Sequence, residues 1–121
     1  MRILVVDDEP IIRLGLVIMV EEAGFAVAEA ANADEAVRVI ERTPDIGLII
    51  TDVDMPGSMD GLKLAHFVRD RWPPIRLIVV SGKIGVKQTE LPAGARFFTK
   101  PFQEGPLINA VRELSGTGGV P

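Results

Sequence analysis

The sequence predicts a single α/β domain, a parallel sheet with helices on both faces. Three observations carry that prediction. Short, β-branched apolar runs alternate along the chain with segments of helical apolar spacing. The joins between them are short, and no internal repeat interrupts the alternation. The apolar runs end abruptly in carboxylate, hydroxyl or ammonium groups, which a doubly wound sheet collects at one edge.

The first strand is predicted at Ile3 to Val6, a continuously apolar run suited to a strand covered on both faces. It breaks at Asp7-Asp8-Glu9. Pro10 then fits the first turn of a helix, where its missing N–H costs nothing, and acidic residues precede it on the favourable side of the dipole. That helix is expected to reach about Ala23, with Gly24 as a left-handed stop. Its apolar residues Ile11, Ile12, Leu14, Leu16, Val17, Ile18, Met19 and Val20 run nearly all round it, more than one core-facing stripe needs. Deep burial or a docking face would each account for the excess.

Phe25 to Ala30 reads as the second strand. Asn32 with Glu35 forms a capping box, and Ala36, Val37, Val39 and Ile40 give the next helix its inward face before Pro44. Ile46 to Thr51 is the third strand, followed by the loop Asp52-Val53-Asp54-Met55-Pro56-Gly57. Asp60 caps a helix from Gly61 to about Arg71, with Leu64, Phe67 and Val68 inward and Lys63, Arg69 and Asp70 outward, and Trp72-Pro73-Pro74 stops it. Ile75 to Val80 is the fourth strand, ending at Ser81-Gly82. Gly82, Gly85, Pro92 and Gly94 then punctuate the place of the next helix, leaving a turn or two around Val86 to Glu90. Arg96 to Thr99 is the fifth strand. A last helix starts near Gln103 to Pro106 and aligns Leu107, Ala110, Val111 and Leu114, and the glycine-rich residues 116–121 form a flexible tail beyond a domain of residues 1–115.

Composition narrows the function classes. With 121 residues, 47% of them hydrophobic, the chain supports one core. Net charge is −4 and no stretch concentrates Lys and Arg, so direct nucleic-acid binding is not expected. The lack of cysteine excludes disulfides, thiolate metal sites and cysteine catalysis. The N-terminal apolar run is too short for a signal peptide or a membrane span, which makes the cytoplasm the expected location and leaves no membrane partner.

Asp7 and Asp8, Asp52, Ser81 and Lys100 all fall at carboxyl ends of predicted strands. Singly, each has an ordinary reading: a helix cap, a turn former, a solvated charge. Together they form a set. Three converging carboxylates repel and call for a cation, and an all-oxygen donor set suits a hard ion such as Mg²⁺. A hydroxyl and an ammonium beside it complete the contacts for a tetrahedral, doubly charged oxygen ligand such as phosphoryl. The implied chemistry is phosphoryl transfer onto a carboxylate.

Over residues 2 to about 115 the sequence resembles the receiver domain of two-component response regulators. The resemblance rests on Val5-Val6-Asp7-Asp8-Glu9-Pro10, on Thr51-Asp52-Val53-Asp54-Met55-Pro56-Gly57 with Asp60-Gly61, on Val79-Val80-Ser81-Gly82, and on Phe97-Phe98-Thr99-Lys100-Pro101-Phe102. It implies a flavodoxin-like fold with strand order 2-1-3-4-5. It also implies that Asp52 is phosphorylated by a sensor histidine kinase or histidine phosphotransfer protein. By the same resemblance, Asp7, Asp8, Asp52 and the backbone carbonyl of Asp54 hold Mg²⁺ or another divalent cation, and Lys100 pairs with the phosphoryl group. Ser81 and Phe97 are the switch residues, and the bond before Pro101 is cis. Such a protein is a signalling domain that assists its own phosphorylation and dephosphorylation, not an enzyme with an external substrate.

Two departures stand out. The stretch between Ser81 and Lys100 is shorter than is usual in the family, so the fourth helix is expected to be short or degenerate. The chain ends just past the last helix, so output is expected through binding an unknown downstream protein, with the apolar excess of the first helix as a kinase docking face or a homodimer contact. Three other readings compete. Asp52-Val53-Asp54 resembles the motif of haloacid dehalogenase phosphatases, but those place it after the first strand and want Thr or Val where Pro56 stands. A pseudo-receiver would lack Asp52, Lys100 or the acidic pair. A phosphate sink would share every motif.

Overall fold

A computed structural model describes residues 1–82 and 87–116. The elements are β1 (Arg2–Val6), α1 (Pro10–Glu22), β2 (Ala26–Ala30), α2 (Ala33–Arg42), β3 (Ile46–Asp52), α3 (Gly61–Arg71), β4 (Arg76–Ser81), β5 (Arg96–Thr99) and α4 (Glu104–Ser115). All neighbouring strands pair in parallel, in the order β2-β1-β3-β4-β5.

Because strand side chains alternate, the three central strands feed two separate cores. Leu4, Val6, Ile49, Leu77 and Val79 pack beneath α2 and α3. Ile3, Val5, Leu48, Ile50, Ile78 and Val80 pack beneath α1 and α4. These strands are apolar on both faces because helices cover both, as the unbroken runs in the sequence required.

Local signals fix the joins. Pro10 occupies the start of α1, and Gly24 follows its end at φ +99°. Asn32 Oδ1 accepts from the Glu35 N–H at 2.8 Å, and Asp60 Oδ1 from the Lys63 N–H at 2.9 Å, each satisfying an orphan donor of a helix start. Asn32→Ala is therefore expected to cost about 1 kcal/mol, read as a lower urea midpoint at unchanged slope.

One difference from the sequence reading has a physical cause, and two expectations take definite form. Phe67, expected inward, is exposed; Leu64, Ala65 and Val68 already fill the inward face of α3, and Phe67 lies edge-on to Trp72, ring centroids 6.0 Å apart. Deep burial does not absorb the apolar excess of α1. Leu16, Val17 and Val20 are buried, whereas Ile11 (85% exposed), Leu14 and Ile18 form an outward stripe. Between β4 and β5, the described residues hold a single 3-10 turn, Gln88–Glu90, where the usual helix would lie. That segment is fastened to α3 instead. Leu91 and Ala95 are buried in the α2/α3 core, and His66 Nε2 bonds the Glu90 carbonyl at 2.6 Å. Val86, where the sequence would start this turn, and the tail residues 117–121 lie outside the described residues. No helix among the described residues is long and apolar enough to cross a membrane.

Candidate functional site

Parallel pairing brings the strand ends into one place although they are distant in the chain. Val6 pairs with Thr51, Asp52 with Val80 and Ser81 with Thr99, so Asp7, Asp52, Ser81 and Lys100 emerge at the same edge. The Val53 N–H donates to Val80 O at 2.9 Å and the Lys100 N–H to Ser81 O at 2.8 Å, extending both ladders by one residue. The functional groups therefore sit on rigid sheet, not on free loop.

Asp7, Asp8 and Asp52 each offer a carboxylate oxygen, and the three lie within 4.8 Å of one another. Asp7 and Asp52 are buried, Asp8 half-buried. The Lys100 ammonium stands 3.3 Å from Asp52 Oδ1 and 3.6 Å from Asp7 Oδ2. A single ammonium cannot neutralise three carboxylates. Burial accordingly pushes the Asp52 carboxyl above its ordinary value of 3.8; the Lys100 charge opposes that shift, Asp7 adds to it, and the hydrogen bond from the Asp54 N–H works against it.

Asp7 Oδ2 and Asp52 Oδ1 are buried without a hydrogen-bond partner among the described residues. Two orphaned anionic oxygens facing one lysine, with a third carboxylate beside them, are the donor set of a hard divalent cation. Their spacing accommodates the about 4.2 Å across a Mg²⁺ ion with oxygens at about 2.1 Å. The residues present fit such an ion.

Asp54 reaches the site through two groups, its N–H toward the Asp52 carboxylate and its Oδ2, which accepts from Ser81 Oγ at 3.5 Å. Ser81 is fully buried. Phe97 pairs with Val79, two residues before Ser81, so Phe97 and Ser81 share the sheet face toward α2 and α3, where Phe97 is half-buried against the core. Phe97 is thus placed beside the hydroxyl and outside the carboxylate group. The Lys100–Pro101 peptide is cis.

Three residues to which the sequence reading gave no role also support this site. Thr51, fully buried, donates its hydroxyl to the Asp52 carbonyl at 3.0 Å. Gly61, at the start of α3, donates its N–H to Val53 O at 2.9 Å; a Cβ there would collide with the Asp52 carbonyl group, its carbon 2.6 Å away. Arg13 donates from Nη1 to the Asp7 carbonyl at 2.7 Å and from Nε to Glu29 Oε1 at 3.1 Å. Arg13 had a readable signal, as the lone basic residue of an otherwise apolar and acidic helix. Thr51 and Gly61 had weaker ones, being the immediate neighbours of Asp52 and of the cap Asp60.

The family model described as "Response regulator receiver domain" matches residues 3–112. The transcriptional activator protein ExaE of Pseudomonas putida is 38% identical over 120 residues, covering 94% of this chain and 55% of ExaE. The response regulator receiver protein CpdR of Brucella abortus is 29% identical, covering 93% of this chain and 95% of CpdR. The chain therefore spans about half the length of the first relative and nearly all of the second. Among solved structures, the response regulator protein TrrA of Thermotoga maritima, in complex with Mg²⁺ and BeF, superposes with a TM-score of 0.81. It is 29% identical, covering 93% of this chain and 97% of that one.

Proposed function

From the premise that the chain belongs to the response regulator receiver domain family, we propose that it accepts a phosphoryl group on Asp52 from a sensor histidine kinase or a histidine phosphotransfer protein. The observation that carries this reading is the buried Asp52 Oδ1, 3.3 Å from the Lys100 ammonium and without a hydrogen-bond partner among the described residues.

In the transfer, an Asp52 carboxylate oxygen attacks phosphorus, the P–N bond to the donor imidazole breaks, and its electron pair stays on the leaving nitrogen, which takes up a proton. Asp52 is held for this by the Asp54 N–H on its carboxylate and by Thr51 on its carbonyl. Lys100 offsets the charge that gathers on the phosphoryl oxygens. Asp7, Asp8, Asp52 and the Asp54 carbonyl would hold Mg²⁺ or another divalent cation, a reading supported by the Mg²⁺–BeF complex of the similar TrrA. When bound, that ion supplies the positive charge that lets an anionic carboxylate approach an anionic phosphoryl group.

Phosphorylation adds about −1.5 to −2 charges and three strong acceptors at Asp52. The Ser81 hydroxyl, held by Asp54 at 3.5 Å, then has a stronger acceptor to turn toward, and Phe97 turns into the space on the same face. Two or three charge-assisted hydrogen bonds of roughly 1.5 to 3 kcal/mol each supply the about 5.5 kcal/mol that such a population shift requires. The outward stripe of Ile11, Leu14 and Ile18 is the face offered to a helical phosphodonor or a second copy, and signalling proceeds by binding a downstream protein in the cytoplasm. Asp52, Lys100 and the acidic pair are all in place, which weighs against a module that never carries phosphate.

Intact mass after incubation with acetyl phosphate tests the reading. One phosphoryl group gained only with Mg²⁺, and not by Asp52→Asn, is the expected result. No gain under any condition would remove phosphotransfer and leave an unphosphorylated binding module.

A further inference from the structure

Asp7 is held at three of its atoms. Its N–H donates to Ala30 O at 3.2 Å, its Oδ1 accepts from the Glu9 N–H at 2.9 Å, and its carbonyl accepts from Arg13 Nη1 at 2.7 Å. Among the described residues Oδ2 has no hydrogen-bond partner, and it faces the Lys100 ammonium. The first two contacts are built from backbone groups of neighbouring chain. The third is a hydrogen bond from another residue's side chain, and it grips the carbonyl of the peptide bond that joins Asp7 to Asp8. Rotation of that peptide plane would swing the Asp8 carboxylate relative to that of Asp7.

Arg13 is itself braced. Its Nε donates to Glu29 Oε1 at 3.1 Å, from β2, so the guanidinium fork spans α1, the end of β1 and the neighbouring strand. Its side chain is only 20% exposed. Glu29 also matches its charge, so that the pair contributes almost no net charge beside the carboxylates. A planar fork with separate donors suits this double duty, whereas a lysine has one nitrogen to place.

We propose that Arg13, braced by Glu29, is a positioning residue that locks the Asp7–Asp8 peptide and thereby sets the affinity of the site for its divalent cation. The assignment rests on the reading of the Asp7, Asp8 and Asp52 cluster as a cation site. Partners at one remove from the ligands typically change metal affinity by about 10- to 100-fold when lost.

The sign of the effect separates positioning from electrostatics. By charge alone, removing a cation next to three carboxylates tightens Mg²⁺ binding; loss of positioning weakens it. Calorimetric titration of Mg²⁺ into wild type, Arg13→Ala and Glu29→Ala, each verified as folded by circular dichroism, reads that sign directly in Arg13→Ala; in Glu29→Ala charge and positioning both weaken binding, so there only the titration at high salt is decisive. At high salt, where through-space charge effects are screened, Arg13→Ala is expected to bind Mg²⁺ at least about tenfold more weakly, and Glu29→Ala more weakly by a smaller factor. An Arg13→Ala protein that binds within twofold of wild type, or more tightly, overturns the assignment. Should that variant not fold, unchanged affinity in Glu29→Ala does the same. Wild type that takes up no Mg²⁺ overturns both this assignment and the cation site beneath it, whereas normal binding in every variant overturns this assignment alone.

Discussion

Gly61→Ala is expected to destabilise the fold by about 3 kcal/mol or more and to disable the site in whatever fraction still folds. The added methyl group meets backbone, the Asp52 carbonyl carbon at 2.6 Å and Val53 Cα at 2.9 Å, so no side chain can rotate away to make room. Either α3 moves off the sheet or Asp52 moves out of line. Moving α3 breaks the Gly61 N–H to Val53 O bond and opens the packing of Leu64, Ala65 and Val68, all buried. Moving Asp52 spoils its 3.3 Å pairing with Lys100. Urea unfolding gives the first quantity and Mg²⁺ titration of the folded protein the second. A midpoint matching wild type would mean that the close approach of α3 to β3 does not constrain this position.

Asp52→Asn is expected to act in opposite directions on stability and on ion binding. The folded carboxyl is raised above 3.8, chiefly by burial, so the native state binds its proton more tightly than the unfolded chain does. Its stabilising contribution is complete below that unfolded value and is lost as pH rises through the folded value. At neutral pH the ionised side chain is therefore a net cost, and an amide of the same shape removes it. Without divalent ion, the variant should melt a few degrees above wild type at pH 7, with the difference shrinking as pH falls toward 4. Saturating Mg²⁺ should narrow or reverse the order, because an ion bound at about 100 times its dissociation constant adds about 2.7 kcal/mol to a protein that keeps its ligands. Melting curves at two pH values, with and without Mg²⁺, check all of this. A variant less stable than wild type without Mg²⁺ at pH 7 would show that the pairing with Lys100 outweighs desolvation.

Most of the frame was legible because its signals are local. Unbroken apolar runs ending in Asp7, Asp52 and Ser81 located the strand ends, and Asn32 and Asp60 marked helix starts that the structure closes with their own side-chain oxygens. The grouping of those ends followed from parallel pairing alone, whereas the strand order came from the resemblance. What stayed hidden depends on distances between elements. That Arg13 of α1 reaches the Asp7 carbonyl and Glu29 of β2 is set by how α1 lies across the sheet, and no spacing encodes that. The same holds for His66 and the Glu90 carbonyl. Phe67 differs for the opposite reason: helical periodicity admits it to the inward face, but Leu64, Ala65 and Val68 already fill that face.

The order of the strands in the chain also has a meaning in time. β5 is an edge strand, paired only with β4, and it delivers Lys100, whereas the carboxylates belong to strands made much earlier. A chain still emerging from the ribosome exposes its acidic cluster before the lysine that balances it exists, and its long-range parallel pairings close late. The complete constellation therefore waits on the last strand of the sheet. A chain that stops short of Lys100, whatever fold it attains, lacks the ammonium beside the carboxylates.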